Sequence, residues 1–252
     1  MNYDKIAAVR RSDLWELRKS PAHYHYKVTH PSEQTQALLF GTATHKYMLE
    51  PKEFFDCFAI APKVDRRTKA GKEEWKQFCE ENEGKDIITA DDWKKILAMA
   101  DMVSKNPTAA ELLFTGQHEV PIEWTDPKTG VECKCRPDVL TTYDGKPYIV
   151  DYKTTTSCEG NSFERSCRKY GYKLQAGMYC EGVFQTTLDE YGFAFVAQEK
   201  TPPYAVRVYF CDAGFIEEGF SMMNDLLHIY RDCAEKDEWP GYEDKEVYGD
   251  EQ

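Results

Sequence analysis

The sequence predicts an α+β protein, an α/β sandwich in which helices flank a central sheet. Three observations predict this class. Apolar residues recur at helical spacing over residues 1–107, they alternate at strand spacing over residues 119–155, and helical and strand patterns then follow in turn. With 252 residues the chain is long enough to form a single domain with its own core, which we expect to cover residues 1–233.

The N-terminal half is predicted to be mainly helical. A first helix begins near Ser12, which carries a capping pattern, and ends or restarts at Pro21. Further helices are predicted over residues 34–49, 69–83 and 91–104.

The next part changes period and predicts a meander of three antiparallel strands. The strands are expected at residues 119–124, 131–140 and 147–155, with turns at 126–130 and 143–146. After them we expect a helix, two more strands and a last helix at about residues 172–184, 192–197, 204–211 and 213–235.

The net charge of −12 is unevenly distributed along the chain. Taken alone it argues against nucleic-acid binding, because phosphate binding needs local positive charge. Residues 1–72 and 129–180 nevertheless carry +5 and +2, whereas residues 73–128 and 181–252 carry −7 and −12. An acidic ligand is therefore expected on the two basic blocks, and residues 234–252 are expected to form a solvated acidic tail.

Composition also limits the cellular setting. No apolar run reaches about 18 residues, so no membrane span is expected. The first residues lack the layout of a signal peptide, and the nine cysteines are an odd number, which together predict reduced thiols in the cytoplasm. No Cys-x-x-Cys pair occurs to suggest a structural zinc site, and Cys133 and Cys135 are interpreted as core residues.

Three polar side chains carry the chemistry that the sequence predicts. Asp151 and Lys153 are two apart on one predicted strand, so they point to the same side, and Asp138 on the preceding strand can face them. Two carboxylates beside an ammonium suit a divalent cation that activates a water, with the lysine orienting or deprotonating that water or stabilising the developing charge. A solvated sheet edge is the alternative, although the pair directly follows the apolar Ile149 and Val150.

These residues resemble a known family. Arg136-Pro137-Asp138, separated by twelve residues from Asp151-Tyr152-Lys153, is similar to the signature of the PD-(D/E)XK nucleases. His45 resembles the upstream helix histidine of their RecB-like branch, and Gln175 with Tyr179 resembles its Q-x-x-x-Y motif. Over residues 12–200 the chain looks most similar to RecE-type exonucleases, also called exodeoxyribonuclease VIII, and their phage relatives.

The resemblance implies a restriction-endonuclease-like core with a mixed sheet, and a role for each matched residue. Asp138 and Asp151 would be metal ligands, with His45 binding through a neutral imidazole nitrogen and the backbone carbonyl of Tyr152 as a fourth ligand. Lys153 would be the catalytic lysine, acting with Asp138 and Asp151. The mostly hard oxygen ligands predict Mg²⁺, for which Mn²⁺ can substitute. Taken alone, a histidine on such an apolar helical face is more often a core residue than a metal ligand.

Further residues are candidates for contact with DNA. Gln175 and Tyr179 are four apart and share a helical face, which in the family lies at the active site and holds the DNA strand. Glu119 stands where some relatives carry another acid, and a solvated acid at a strand end is the alternative reading. Four basic residues near aromatic ones are also predicted to bind DNA, with a solvated charged face as the alternative, namely Arg66, Arg67, Arg165 and Arg168.

The leading hypothesis is a metal-dependent exonuclease that digests linear double-stranded DNA from its ends. By resemblance it would act 5′ to 3′, leave 3′ overhangs for a single-strand annealing partner in recombination, and form a homo-oligomeric ring in a bacterial or phage-infected cell. A structure- or site-specific endonuclease and a non-catalytic DNA-binding module are the alternatives. Neither an iron–sulfur cluster nor ATP is expected, because Cys180, Cys211 and Cys233 are widely spaced and no P-loop occurs.

Overall fold

The computed structural model describes residue 3, residues 6–30 and residues 35–244. Its helices are α1 (Arg11–Leu17), α2 (Pro21–Thr29), α3 (Gln36–Leu49), α4 (Phe54–Cys57), α5 (Lys69–Glu81), α6 (Ala90–Ser104), α7 (Pro107–Phe114), α8 (Gly160–Tyr170), α9 (Tyr172–Thr187) and α10 (Ala213–Lys236). Its strands are β1 (Phe58–Ile60), β2 (Asp86–Ile88), β3 (Gln117–His118), β4 (Ile122–Thr125), β5 (Glu132–Cys135), β6 (Val139–Tyr143), β7 (Lys146–Thr155), β8 (Gly192–Glu199) and β9 (Val206–Phe210).

The central sheet has five strands in the order β3-β6-β7-β8-β9. Strand β6 is antiparallel to both β3 and β7, β7 and β8 are parallel, and β9 is antiparallel to β8. The parallel pair requires a crossover, which α8 and α9 supply between β7 and β8. The predicted α+β class, with a mixed sheet that contains an antiparallel meander, is therefore confirmed.

The strand predicted over residues 131–140 is wrong in one respect, because the structure divides it in two. Its first part is β5, which pairs with β4 in a separate hairpin, and its second part is β6 in the central sheet. Between them Pro137 lacks an N–H to donate to a strand partner, and the Asp138 carboxylate accepts a hydrogen bond from the Tyr152 backbone instead. The strand predicted over residues 119–124 is likewise replaced by β3 and β4, on either side of Glu119, whose φ is +53°.

The predicted helices are present, with small differences at their ends. Residue 34, the first of one predicted helix, lies outside the described residues, and α3 begins after Thr35, whose side chain accepts a hydrogen bond from the Leu38 backbone. Helix α2 begins at Pro21, where the sequence allowed the first helix either to end or to restart. Helices α4, α7 and α8 and the parallel pair β1–β2 were not predicted.

The chain continues to pack beyond residue 233. Helix α10 extends to Lys236, and the Trp239 ring lies 5.1 Å from that of Tyr24 on α2. The Ala22 backbone also donates a hydrogen bond to the Pro240 carbonyl. The acidic segment is therefore folded against α2 in its first part, and its residues 245–252 lie outside the described residues.

Helices cover both faces of the central sheet. Ile149 on β7 points into a cluster formed with α1, α9 and α10, and Val150 points into a second cluster formed with α3, α6 and α7. Because alternate residues of a strand face opposite sides, Asp151 continues the first face and Tyr152 the second. The two layers of helices thus pack on opposite faces of β7, next to the predicted catalytic residues.

All nine cysteines are free, and Cys133 and Cys135 are buried core residues as predicted. Among the described residues, none of the helices is both long and apolar enough to cross a membrane.

Two glycines allow α9 and α10 to pack at close range. A Cβ atom built on Gly177 would overlap the backbone of Gly219 and Phe220, and one built on Gly219 would overlap the Lys173 carbonyl. Any larger residue would push the helices apart. Since α9 carries Gln175 and Tyr179, this contact also fixes their position relative to the sheet.

We expect Gly177→Ala to lower the free energy of unfolding by about 2–3 kcal/mol, because the added methyl group forces the two helices apart. Urea denaturation followed by circular dichroism measures the change. Gly214→Ala is the matched control, since its Cβ would only reach the Asp212 side chain at 3.6 Å. The close packing is refuted if the two variants are equally stable.

Candidate active site

His45 is carried to the sheet by α3. Met48 and Leu49, on the next turn of that helix, are buried against Val139 and Val150 of the central sheet. This packing aims the imidazole at the start of β6, where His45 Nε2 lies 2.8 Å from Asp138 Oδ2. The His45 side chain retains 32% exposure, so the ring borders both the protein and the solvent.

Asp138 lies in the bend that immediately precedes β6. Val139 pairs with Val150, so Asp138 and Asp151 are the next residues on the two strands beyond that pair. Asp138 Oδ2 also accepts a hydrogen bond from the Tyr152 backbone at 2.7 Å. The carboxylate is thus held from α3 by a ring nitrogen and from β7 by a main-chain N–H.

Asp151 is held by a different set of partners. The Lys153 ammonium lies 2.6 Å from Asp151 Oδ1, as expected for residues two apart on one strand. The Gln175 side-chain amide, on α9, donates a hydrogen bond to Asp151 Oδ2. Oδ1 has no aligned hydrogen bond, so Lys153 acts on it mainly through charge. The predicted placement of Asp151 and Lys153 on one side of a strand therefore holds in the structure.

Glu119 joins the site, which the sequence analysis left open. Its Oε1 lies 3.5 Å from His45 Nδ1, and its Oε2 lies 2.7 Å from the Arg136 guanidinium. Its backbone N–H donates to the Asp138 carbonyl at 3.0 Å, and this bond together with the positive φ turns the side chain inward. Its match to a position where some relatives of the resembled family carry another acid was the sequence signal for this role.

The charges of the site shift one another's pKa values. Burial lowers the pKa of His45, but the carboxylates of Asp138 and Glu119 outweigh burial and raise that pKa to about 9. Burial and the Asp138 charge raise the pKa of Glu119 to about 7. Burial opposes ionisation of Asp138, yet His45 and Lys153 hold its pKa below the usual range. Burial and the Asp138 charge raise the pKa of Asp151, because Lys153 offsets only part of them.

The residues fit a divalent cation. One nitrogen of His45 and one oxygen each of Glu119 and Asp138 lie within 4.8 Å of one another. Two carboxylates with an imidazole form a donor set suited to Mg²⁺ or Mn²⁺. Asp151, also predicted as a ligand, lies outside this group of three because its oxygens face Lys153 and Gln175.

Other predicted ligands and positioning residues lie close to this group. Tyr152 contributes its backbone N–H to Asp138, and its buried hydroxyl donates to Gln198, while the role predicted for its carbonyl stays a prediction. Tyr179 lies one turn after Gln175 and packs against the core, where burial, followed by Cys135 and Asp151, raises its pKa. Of these two residues Gln175 contacts the site directly, through Asp151, and the predicted contact of both with DNA stays a prediction.

The predicted arginines lie elsewhere. A cleft of about 900 Å³ adjoins His45 and Glu119, and its basic lining residues are Lys46, Arg136 and Lys200. The four arginines predicted to bind DNA are not among the residues lining it. Arg66 stacks on Trp75, Arg67 pairs with Asp65, and Arg165 and Arg168 are exposed on α8.

Comparison with known proteins identifies the family. Residues 11–250 match the family described as a PDDEXK-like domain of unknown function (DUF3799), and the chain belongs to this family. The predicted membership of the PD-(D/E)XK superfamily is thereby confirmed. No curated protein matches the sequence.

A solved structure agrees with this fold. The chain is similar to a crystal structure named "Putative exonuclease" from Eubacterium rectale, with a TM-score of 0.60 and 16% identity, over 89% of this chain and 80% of that one. The crystal structure of SSO0001 gives a TM-score of 0.33 and 14% identity over 77% and 85% of the two chains, which is too low to support an argument about the fold.

The His45–Asp138 pair predicts a pH-dependent stability in the presence of EDTA. The folded state holds the His45 proton more tightly than the unfolded chain, so the pair stabilises the protein fully below about pH 6.5. That stability is lost as the pH rises through about 9, and we expect a loss of about 2 kcal/mol after allowance for solvent screening. Urea denaturation at pH 6.5 and 9.5 measures it. His45→Asn should reduce the dependence to the part contributed by Glu119, which also titrates in this range, while the exposed His228→Asn should retain it in full. Equal behaviour of both variants would refute the pairing.

Proposed function

We propose that this protein is a divalent-metal-dependent deoxyribonuclease that hydrolyses phosphodiester bonds of linear double-stranded DNA from its ends. The observation that carries the proposal is the juxtaposition of Asp138 with Asp151 and Lys153 on paired strands, with His45 bonded to Asp138. The family and the fold support a nuclease, and the sequence resemblance to RecE-type exonucleases supports digestion 5′ to 3′.

The residues of the site divide between holding a cation and acting on the substrate. His45, Glu119 and Asp138 would hold the cation, which supplies Lewis-acid polarisation of a phosphoryl oxygen and lowers the pKa of a water. Tyr152 N–H keeps Asp138 oriented toward them. Asp151 lies beside Asp138 across the strand pair, so it would complete this set by turning its carboxylate away from Lys153.

Lys153 would act on the reacting groups. Its ammonium lies beside Asp151 and 5.0 Å from the centre of the Tyr172 ring, and its side chain retains 19% exposure toward the solvent. In this position the Lys153 ammonium can stabilise the charge that develops on the phosphate, or orient the attacking water. Gln175 holds Asp151 from the opposite side and thereby limits the positions that Lys153 can adopt.

The proposal includes partners that follow from the resemblance. Mg²⁺ is the proposed ion, with Mn²⁺ as a substitute. Ends of double-stranded DNA are the proposed substrate, and the 3′ overhangs would pass to a single-strand annealing protein during recombination. A homo-oligomeric ring around the duplex would keep the enzyme on its substrate.

A decisive experiment digests linear duplex labelled at the 5′ or the 3′ end, with Mg²⁺ or with EDTA. We expect the 5′ label to be released before the 3′ label in the presence of Mg²⁺, and neither label to be released with EDTA. Lys153→Ala and Asp151→Asn should lower the rate at least 100-fold, because charge stabilisation and ligand geometry are lost. Lys146→Ala, a matched lysine at the exposed start of the same strand, should retain activity. Full activity of Lys153→Ala in protein that melts normally would contradict the assignment.

Closed circular duplex distinguishes the alternative of a structure- or site-specific endonuclease. An exonuclease leaves a circle intact and degrades it only after linearisation. Conversion of the circle to linear or nicked products by the wild type, and not by Lys153→Ala, would establish the endonuclease. A purified wild-type protein that binds DNA but degrades neither form with Mg²⁺ or Mn²⁺ would support the non-catalytic binding module.

A further inference from the structure

Three cationic side chains line the cleft beside His45, and their states differ. Lys46 on α3 lies 2.7 Å from Glu50 and 2.8 Å from Glu53, so two carboxylates already neutralise it. Arg136 pairs with one carboxylate, that of Glu119. Lys200 is the third, and it differs from the other two in its partners.

Lys200 follows the end of β8, beside the catalytic strand. Its backbone N–H donates to the Thr155 carbonyl at 3.0 Å, which fixes it at the rim of the cleft together with Thr154. Within residues 35–244 and the other described positions, its ammonium has no ion-pair or hydrogen-bond partner. The Lys200 ammonium can therefore bind an anion without first breaking an ion pair.

Arg136 shares its partner with the candidate metal group. One oxygen of Glu119 contacts the guanidinium at 2.7 Å and the other lies 3.5 Å from His45. The guanidinium also lies over the Tyr3 ring, 4.9 Å from its centre, and the side chain is 42% exposed in the cleft. If Glu119 turned away, the ring would still support the guanidinium at the same place.

We propose that Arg136 is a conditional phosphate-binding residue, released to bind DNA when Glu119 turns to a divalent cation, whereas Lys200 binds the DNA backbone whether or not the cation is present. This inference rests on the proposed function and adds regulation to it. A carboxylate that coordinates a dication shares its charge with that ion, so it neutralises the arginine beside it less fully. The freed guanidinium then offers planar, paired donors to a phosphate in the same cleft.

The consequence is that metal loading and DNA binding are coupled. In the metal-free protein the ion pair with Glu119 keeps Arg136 from binding a phosphate. DNA therefore binds weakly to protein that cannot cleave it. With the cation in place the cleft gains a phosphate contact close to the reacting groups. By linkage, DNA must in turn raise the affinity for the cation.

Fluorescence anisotropy of a labelled linear duplex tests the proposal in Lys153→Ala protein, which keeps the DNA intact. We expect Arg136→Gln to weaken binding roughly tenfold with Mg²⁺ and less than about twofold with EDTA at equal ionic strength. With Mg²⁺ it should lower the salt slope by about one, as the loss of one phosphate contact requires. Lys200→Gln is the comparison and should weaken binding equally under both conditions.

Glu119→Gln should act in the opposite direction. It frees Arg136 without any metal, so DNA affinity in EDTA should rise severalfold, and the additional change Arg136→Gln should abolish that rise. Glu50→Gln is the matched control, since it removes the same charge from the same cleft while Lys46 keeps Glu53 as a partner. The change in DNA affinity that Glu50→Gln causes measures how much the loss of one negative charge contributes by itself.

The outcomes separate this inference from the proposed function. Equal losses from Arg136→Gln with Mg²⁺ and with EDTA, or equal gains from Glu119→Gln and Glu50→Gln, overturn the conditional role even if the wild type digests DNA. If the wild type does not digest DNA but Mg²⁺ tightens its DNA binding through Arg136, the coupling stands and the nuclease proposal fails. Absence of any DNA binding with Mg²⁺ overturns both.

Discussion

The burial of two adjacent carboxylates is the constraint on which the rest of the structure depends. Asp138 is 7% exposed and Asp151 is 2% exposed. They lie opposite each other, one position beyond the paired residues Val139 and Val150. Two like charges in such a place are unfavourable unless each has partners of its own. The pKa of Asp138 is held down and that of Asp151 is raised, so the surroundings divide the pair into two unlike groups.

The sandwich architecture supplies those partners from opposite sides. Helix α3 packs on one face of β7 and brings His45 to Asp138, while α9 packs on the other face and brings Gln175 to Asp151. The close contact with α10 fixes the position of α9 relative to the sheet, and the burial of Met48 fixes that of α3. A change in core packing on either face therefore reaches the site through one hydrogen bond.

Net charge is a poor guide to the ligand of this protein. The chain carries −12, yet the cleft beside the candidate metal group is lined by three cations, two of which are engaged by acids. Acidic residues in the cleft thus act as local partners that set which cations are available. An otherwise acidic surface would confine a polyanion to this cleft, because it repels phosphate elsewhere.

The sequence by itself determined the fold class and the placement of Asp151 and Lys153 on one side of a strand, because strand and helix periods act over a few residues. His45 and Gln175 became candidates through the resemblance to the PD-(D/E)XK nucleases. Tertiary structure alone decided the break at Pro137, the inward turn of Glu119 and the lining of the cleft. Those features depend on a hydrogen bond between Asp138 and Tyr152 and on contacts between segments far apart in the chain. The predicted arginines failed to reach the cleft for the same reason, since local charge and aromatic content carry no information about which face of the fold a segment will occupy.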